Sequence, residues 1–130
     1  MTREDVQRWL DDYVEAWRTY EPARIEALFS AAARYRFQPW AEPVEGRERI
    51  VASWLTNRDE PDSWQAEYRP LVVDGAVAVA EGWTSYRDHQ DQGPRTYHNI
   101  FVLRFDAEGR CAEFTEYYME RPAGTSGGSD

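Results

Sequence analysis

The spacing of apolar residues changes once along this 130-residue chain, and that change limits the folds open to it. Near the start, apolar side chains recur every three or four positions, as on one face of an α-helix: Val6, Trp9, Leu10, Tyr13, Val14 and Trp17. After residue 63, apolar and polar residues alternate as in strands, and turn sequences separate the runs. Helices followed by an antiparallel meander of strands indicate the α+β class.

Two shorter helices are predicted between these regions. Pro22 suits the first turn of one, whose apolar stripe would be Ile25, Leu28 and Phe29. Tyr35 and Phe37 then alternate with polar residues, which predicts a strand that Pro39 ends. Residues 40–45 read as a loop, and Gly46 would start a third helix with an inward face of Ile50, Val51, Trp54 and Leu55.

Four strands are predicted in the second half, at residues 64–73, 76–86, 97–105 and 111–119. Asp74-Gly75 is a strong hairpin signal, and Pro70 suggests an edge strand or a bulge. We expect a strongly curved, mainly antiparallel sheet wrapped around the long first helix, which makes a cone with a mouth. Residues 1–122 would form one domain.

The remaining segments read as irregular. The 87–94 region is polar, and its histidine, His89, is expected to be solvated. Residues 123–130 are rich in Gly and Ser and are expected to be a flexible tail.

Charge and composition exclude several classes of partner. The formal net charge is −9, so a nucleic acid or an anionic membrane surface would be repelled. No stretch approaches the ~18 apolar residues of a membrane span, and residues 1–12 lack the apolar run of a signal peptide. A single cysteine, Cys111, suits a reducing compartment. We therefore expect a cytoplasmic protein.

No motif predicts a metal or a cofactor. The chain has no Gly-rich phosphate loop, no nucleotide fingerprint and no Cys or His pair at metal-binding spacing. Its two histidines are nine residues apart, which is a weak basis for a metal site.

Three segments carry a resemblance to a known family. They are YRFQPWAEPVEGRERI at residues 35–50, DGAVAVAEGWTSY at 74–86 and TYHNIFVLRFDAEGRCAEFTEYYMERP at 96–122. Together with the order of elements, they resemble the nuclear transport factor 2-like superfamily and, within it, the SnoaL-like group. The resemblance implies a roll like that of the cystatins, a pocket for a small, largely apolar molecule, and a homodimer built through the sheet.

The resemblance also places the candidate catalytic residues. Glu116 occupies a last-strand position where epoxide hydrolases of this fold keep an acid. An inward carboxylate among apolar neighbours would have a raised pKa and could move protons, although it could equally be a paired carboxylate at the pocket mouth. Asn99 could polarise a substrate carbonyl or only bond Tyr35 or Glu116. Tyr35 would help to stabilise an enolate.

Two departures from the enzymes of this fold narrow the chemistry. Gly82 and Thr84 stand where the epoxide hydrolase pattern would place Arg and Asp, which argues against epoxide hydrolysis. Gln38 lies near the position of the proton-shuttling aspartate of ketosteroid isomerases, and an amide cannot take that proton.

A set of aromatic residues from helices, a loop and strands should converge on the cone. Each can be read as packed core, yet together they predict apolar pocket walls. The predicted substrate-binding residues are Tyr13, Trp17, Phe37, Trp40, Trp54, Phe101 and Tyr118. Strand alternation puts Asn99 on this inner face and His98 on the outer one.

Three functions remain open. One is a cofactor-independent isomerase, cyclase or dehydratase that acts on a small hydrophobic carbonyl compound. Another is a ligand-binding domain without chemistry. The third is an interaction module, in which His98, Ile100 and Val102 on the outer sheet face meet another subunit.

Overall fold

The computed structural model describes residues 1–87 and 93–122, which form three helices and six strands. The predictions for His89 and for the 123–130 tail lie outside the described residues. Among the described helices, none combines the length and apolar character needed to cross a bilayer.

The first helix, α1 (Arg3–Thr19), begins and ends at well-defined caps. The Thr2 hydroxyl accepts the Asp5 amide at 3.0 Å, and the Asp5 carboxylate accepts the Thr2 amide at 2.9 Å. This reciprocal pair is a capping box, which satisfies two amides that the helix cannot. Tyr20 closes the helix in a left-handed conformation (φ 53°), and its amide bonds back to Ala16.

Two short helices and two strands follow. They are α2 (Pro22–Leu28), β1 (Phe29–Arg36), β2 (Val44–Glu45) and α3 (Arg47–Thr56). The two-residue strand β2 pairs with β1 within the segment that the sequence analysis treats as loop. Apolar alternation cannot reveal a strand of two residues, because it needs a longer run to be visible.

The meander consists of β3 (Trp64–Asp74), β4 (Val77–Tyr86), β5 (Arg95–Phe105) and β6 (Cys111–Glu120). Each of these strands pairs antiparallel with the next one along the chain, and β6 also pairs in parallel with β1. The resulting strand order in the sheet is β2-β1-β6-β5-β4-β3. Gly75 at φ 58° makes the two-residue turn between β3 and β4. Pro70 lies on an edge strand beside a register shift, as predicted.

The closed end of the roll holds the apolar core. Trp9 of α1 contacts Phe29, Phe105 and Phe114, with ring centroids 5.7 to 6.2 Å apart. Its indole N–H donates to the Leu28 carbonyl at 3.0 Å, so the single polar group of the ring is satisfied. The predicted fold, three helices packed on a curved and mainly antiparallel sheet, is confirmed.

Candidate functional site

The concave face of the sheet changes from apolar to polar towards one end. On β5 the inward residues run from Leu103 and Phe101 to Asn99, and on β6 from Phe114 to Glu116. Where the polar residues begin, the interior opens into a cavity of about 390 Å³. Its walls comprise Tyr13, Trp17, Tyr20, Tyr35, Phe37, Ser53, Trp54, Asn57, Asp59, Tyr68, Thr84, Tyr86, Tyr97, Asn99, Glu116 and Tyr118.

A row of hydrogen bonds crosses four neighbouring strands and ends on Glu116. Asn99 Nδ2 donates to Glu116 Oε2 at 2.7 Å, and Asn99 Oδ1 accepts the Thr84 hydroxyl at 3.0 Å. Because Thr84 has only one hydrogen to donate, its oxygen must accept the Tyr68 hydroxyl, 2.5 Å away. Every donor in this row therefore points towards the carboxylate of Glu116.

Gly82 makes room for the first member of the row. It pairs with Tyr68 across β3 and β4, and it lies two residues before Thr84 on the same face. A Cβ at this position would collide with the Glu67 carbonyl and with the Tyr68 ring. The absence of a side chain therefore lets the Tyr68 ring lie across β4 and reach Thr84.

At neutral pH the protonated and ionised forms of the Glu116 carboxyl group are similarly populated. Burial raises its pKa to about 7, and the hydrogen bond from Asn99 opposes that rise only in part. Burial is the main cause of the raised pKa of four surrounding hydroxyls, which belong to Tyr13, Tyr35, Tyr68 and Tyr86, and the negative charge of Glu116 adds to the rise. Among the described residues it makes no salt bridge.

Two buried tyrosines supply a hydrogen-bond donor to the same cavity. The hydroxyls of Tyr13 and Tyr35 are 3.2 Å apart. Whichever of them donates, the pair has two hydrogens and uses only one, so one O–H remains for a ligand. Burial raises the pKa of both hydroxyls well above the ordinary value, so both stay protonated.

The mouth of the cavity is built around Asp59. Its carboxylate accepts the indole N–H of Trp17 at 2.9 Å, and its backbone amide donates to the Tyr20 hydroxyl at 2.8 Å. Trp64 stacks on Trp17 at 3.5 Å between ring centroids. Trp17 lines the cavity and Trp64 does not, so Trp64 supports the wall from behind.

The structure brings together all three predicted catalytic residues and five of the seven predicted wall residues. Glu116, Asn99 and Tyr35 line the cavity, as do Tyr13, Trp17, Phe37, Trp54 and Tyr118. Their roles in catalysis or binding stay predictions.

The two exceptions are Phe101 and Trp40, which do not line this cavity. Phe101 lies beneath the cavity, buried against Tyr68 and Phe114, because it precedes the level at which the strands turn polar. Trp40 is 82% exposed, because the loop after β1 carries it away from the cavity.

That loop lines a second groove, of about 540 Å³. Trp40 and Gln38 form one side of this groove, and residues of the outer sheet face form the other. Gln38 Nε2 donates to the Tyr118 hydroxyl at 3.1 Å. Asn99 and Glu116 line both this groove and the main cavity, so Glu116 lies between the two.

Several residues that make the site polar were not predicted from the sequence. Tyr68, Thr84, Asp59, Tyr20 and Tyr86 all line the cavity. Alternation along the predicted strand β4 could have placed Thr84 inward, but its bond to Asn99 depends on strand register, which one sequence does not reveal.

The remaining reactive side chains lie elsewhere. His98 is on the outer face, as expected, and its Nε2 lies 2.9 Å from Nη2 of Arg121. Burial raises the pKa of the Cys111 thiol, which donates to the Glu113 carbonyl at 3.2 Å. Within residues 1–87 and 93–122, no group of three His, Cys, Asp or Glu side chains is placed to hold a metal ion.

The fold and the site together define the class of this protein. It is a small α+β domain whose curved sheet encloses an aromatic cavity with a row of hydrogen-bonded polar residues. Residues 10–114 match the family model described as SnoaL-like domain, so the chain belongs to the SnoaL-like family of the nuclear transport factor 2-like superfamily. The resemblance noted in the sequence is thereby confirmed.

A solved structure has the same fold at low sequence identity. It is that of a "putative ketosteroid isomerase" from Kribbella flavida, which is 18% identical to this chain. The TM-score is 0.69, and the match covers 96% of this chain and 85% of the other. At this identity the likeness concerns the fold alone.

Proposed function

We propose that this protein is a cofactor-independent acid–base enzyme that acts on a small hydrophobic carbonyl compound. The observation that carries the proposal is a mostly enclosed carboxyl group, Glu116, whose pKa of about 7 allows it to take up and release a proton at neutral pH. It faces an aromatic cavity that also offers an unshared tyrosine O–H.

The chemistry would run through an enolate. Ionised Glu116 takes a proton from the carbon next to the carbonyl, and the C–H electron pair moves into a new carbon–carbon double bond. The carbonyl oxygen gains the negative charge and accepts the free O–H of the Tyr13–Tyr35 pair. Protonated Glu116 then returns the proton to another carbon in an isomerisation, or to a departing hydroxyl in a dehydration.

The row behind Glu116 suits this role. Asn99 donates to the carboxylate on the sheet side, which fixes its orientation and limits the rise in its pKa. Gln38, on the loop after β1, is an amide that cannot take up a proton, and it donates to the Tyr118 hydroxyl at the second groove. The base in this chain would therefore be Glu116 on β6.

The test is exchange of substrate hydrogen with solvent. A panel of apolar ketones is incubated in deuterated buffer with the full chain, and deuterium entering next to the carbonyl is followed by NMR. We expect the rate to rise with pH through about 7, as Glu116 ionises, and to level off above it. Glu116→Gln should lose at least ~100-fold of the rate.

Glu113→Gln is the matched control. Glu113 lies on the outer face of the same strand, 3.9 Å from Arg104, and should exchange hydrogen at the wild-type rate. Ketones that bind to the wild-type protein and are never deuterated would contradict the proposal. Such a result would favour the second function, a ligand-binding pocket without chemistry.

We also propose that a second copy of the chain covers the outer sheet face. Apolar side chains on neighbouring strands are exposed there, with Met119 at 75% and Tyr117 at 46%. Two pairs of opposite charges on this face are matched within the chain, Arg69 with Glu81 at 2.7 Å and Arg104 with Glu113, which reduces the repulsion between two copies.

Sedimentation at micromolar concentration tests this assembly. We expect a dimer in the wild-type protein and a monomer for Val102→Glu, which puts a charge on the exposed face of β5. A wild-type monomer at these concentrations would refute it.

A further inference from the structure

The charged residues that line the cavity are all of one sign. Glu116 and Asp59 are the two charged residues among its described lining residues, and no arginine lines it, although the chain has 15 cationic residues. Ten of the sixteen lining residues are aromatic. Neither carboxylate makes a salt bridge to a described residue.

Carboxylates next to aromatic rings attract cations. Enclosed charges in proteins are normally paired, and the faces of tyrosine and tryptophan rings are negative. A ligand anion would be repelled here, whereas a neutral ligand would leave both carboxylates without a counter-charge. A ligand cation would gain from both features of the wall.

At the mouth, an aromatic ring already contacts a cationic side chain of the protein itself. The guanidinium of Arg58 lies over the Tyr20 ring, 5.5 Å from its centroid. Tyr20 borders the cavity, and its hydroxyl accepts the amide of Asp59. The carboxylate of Asp59 accepts one N–H, from Trp17, which leaves capacity for a further partner.

We propose that the cavity takes an apolar ligand that carries a substituted ammonium group, held at the mouth by Asp59 and the rings of Trp17 and Tyr86. This deepens the proposed function and rests on it, because the same ligand would present its carbonyl to Glu116. Asp59, Glu116 and Tyr86 all line this one cavity.

A set of three probes with closely matched shapes isolates the charge. Benzyltrimethylammonium is the cation, neopentylbenzene is its neutral carbon counterpart, and phenylmethanesulfonate is the anion. Dissociation constants are measured by calorimetry on the full chain at pH 8. We expect the cation to bind at least ~10-fold more tightly than the neutral probe, and the anion not to bind.

Asp59→Asn tests the assigned residue. The amide oxygen can still accept the Trp17 N–H, so the change removes charge and keeps the contact. We expect the ratio of neutral to cation dissociation constants to fall at least fivefold. Asp62→Asn, an equal change of charge at an exposed residue outside the cavity, should keep the wild-type ratio.

Each outcome decides one proposal. A neutral probe that binds the wild-type protein as tightly as the cation overturns the ammonium proposal, and so does an unchanged ratio in Asp59→Asn. If deuterium exchange still depends on Glu116 in that case, the acid–base proposal stands. Cation preference without any exchange would keep the ligand class and remove the chemistry.

Discussion

The closed end and the mouth of this roll are built from the same helix and the same strands, yet they differ in what they bury. At the closed end, Trp9 sits among phenylalanines, and its one polar group is satisfied by a backbone carbonyl. At the mouth, eight residues along the same helix, Trp17 bonds a carboxylate and faces a cavity. The helix therefore spans a packed region and an open one.

This division separates stability from chemistry. Burying polar groups is costly, and the mouth holds an enclosed carboxyl group with a raised pKa. The closed end supplies dense apolar packing that offsets this cost. Substitutions at the two ends should consequently differ in the size of their effect on stability, and at Glu116 also in its sign.

The largest expected effect is at the closed end. Phe29→Ala removes a fully buried ring and should lower the free energy of unfolding by ~3–5 kcal/mol. Phe37→Ala at the mouth, where the ring is 41% exposed, should cost less than ~1 kcal/mol. Urea denaturation measures both, and equal losses would remove the distinction between the two ends.

The next effect has the opposite sign. Since the folded pKa of Glu116 is about 7, against an ordinary 4.5, the folded state loses stability as pH rises from 4.5 to 7. The Glu116→Gln protein has no carboxyl group to ionise at this position, so its free energy of unfolding should exceed that of the wild type by up to ~3 kcal/mol at pH 8. Thermal melts at pH 4 and pH 8 check it: the gain should vanish at pH 4.

Gly82→Ala should disturb the row where it begins. The added methyl group would displace the Tyr68 ring and the Glu67 carbonyl, at a cost of ~2 kcal/mol. Gly109→Ala, in a turn at φ 81°, has open space around it and would report backbone strain alone. A Gly82→Ala protein with wild-type stability would show that the Tyr68 ring does not depend on this glycine.

The smallest effect separates bonding from shape. Thr84→Val keeps the volume but leaves Asn99 Oδ1 and the Tyr68 hydroxyl without their partner, which should cost ~1–2 kcal/mol. Thr84→Ser should recover most of this loss. The carboxyl carbon shift of Glu116, followed by NMR against pH, should show a higher midpoint in Thr84→Val as Asn99 loses its anchor.

The sequence predicted the fold well because its signals are local. The helical spacing in residues 6–17, the Asp74-Gly75 turn and the alternation in β5 each depend on neighbouring residues only. β2 escaped prediction because it is two residues long and exists through its pairing with β1.

The site was predicted less completely because its bonds are not local. Inward placement of Asn99 and Glu116 follows from alternation, but the order of bonding depends on register across four strands. Trp40 and Phe101 lie outside the cavity, because apolar character does not say at which level of the cone a ring will lie. Asp59 lies in the irregular connection between α3 and β3, where no periodicity marks a position as inward.

The hydrogen-bonded row has a consequence for how the strands find each other. It takes one residue from each of the four strands of the meander, and Tyr68, Thr84 and Asn99 are almost fully buried. A slip of one residue in any pairing would turn one member outward and leave its neighbours buried without partners. Misaligned sheets would thus be penalised during folding, and the correct alignment assembles the site.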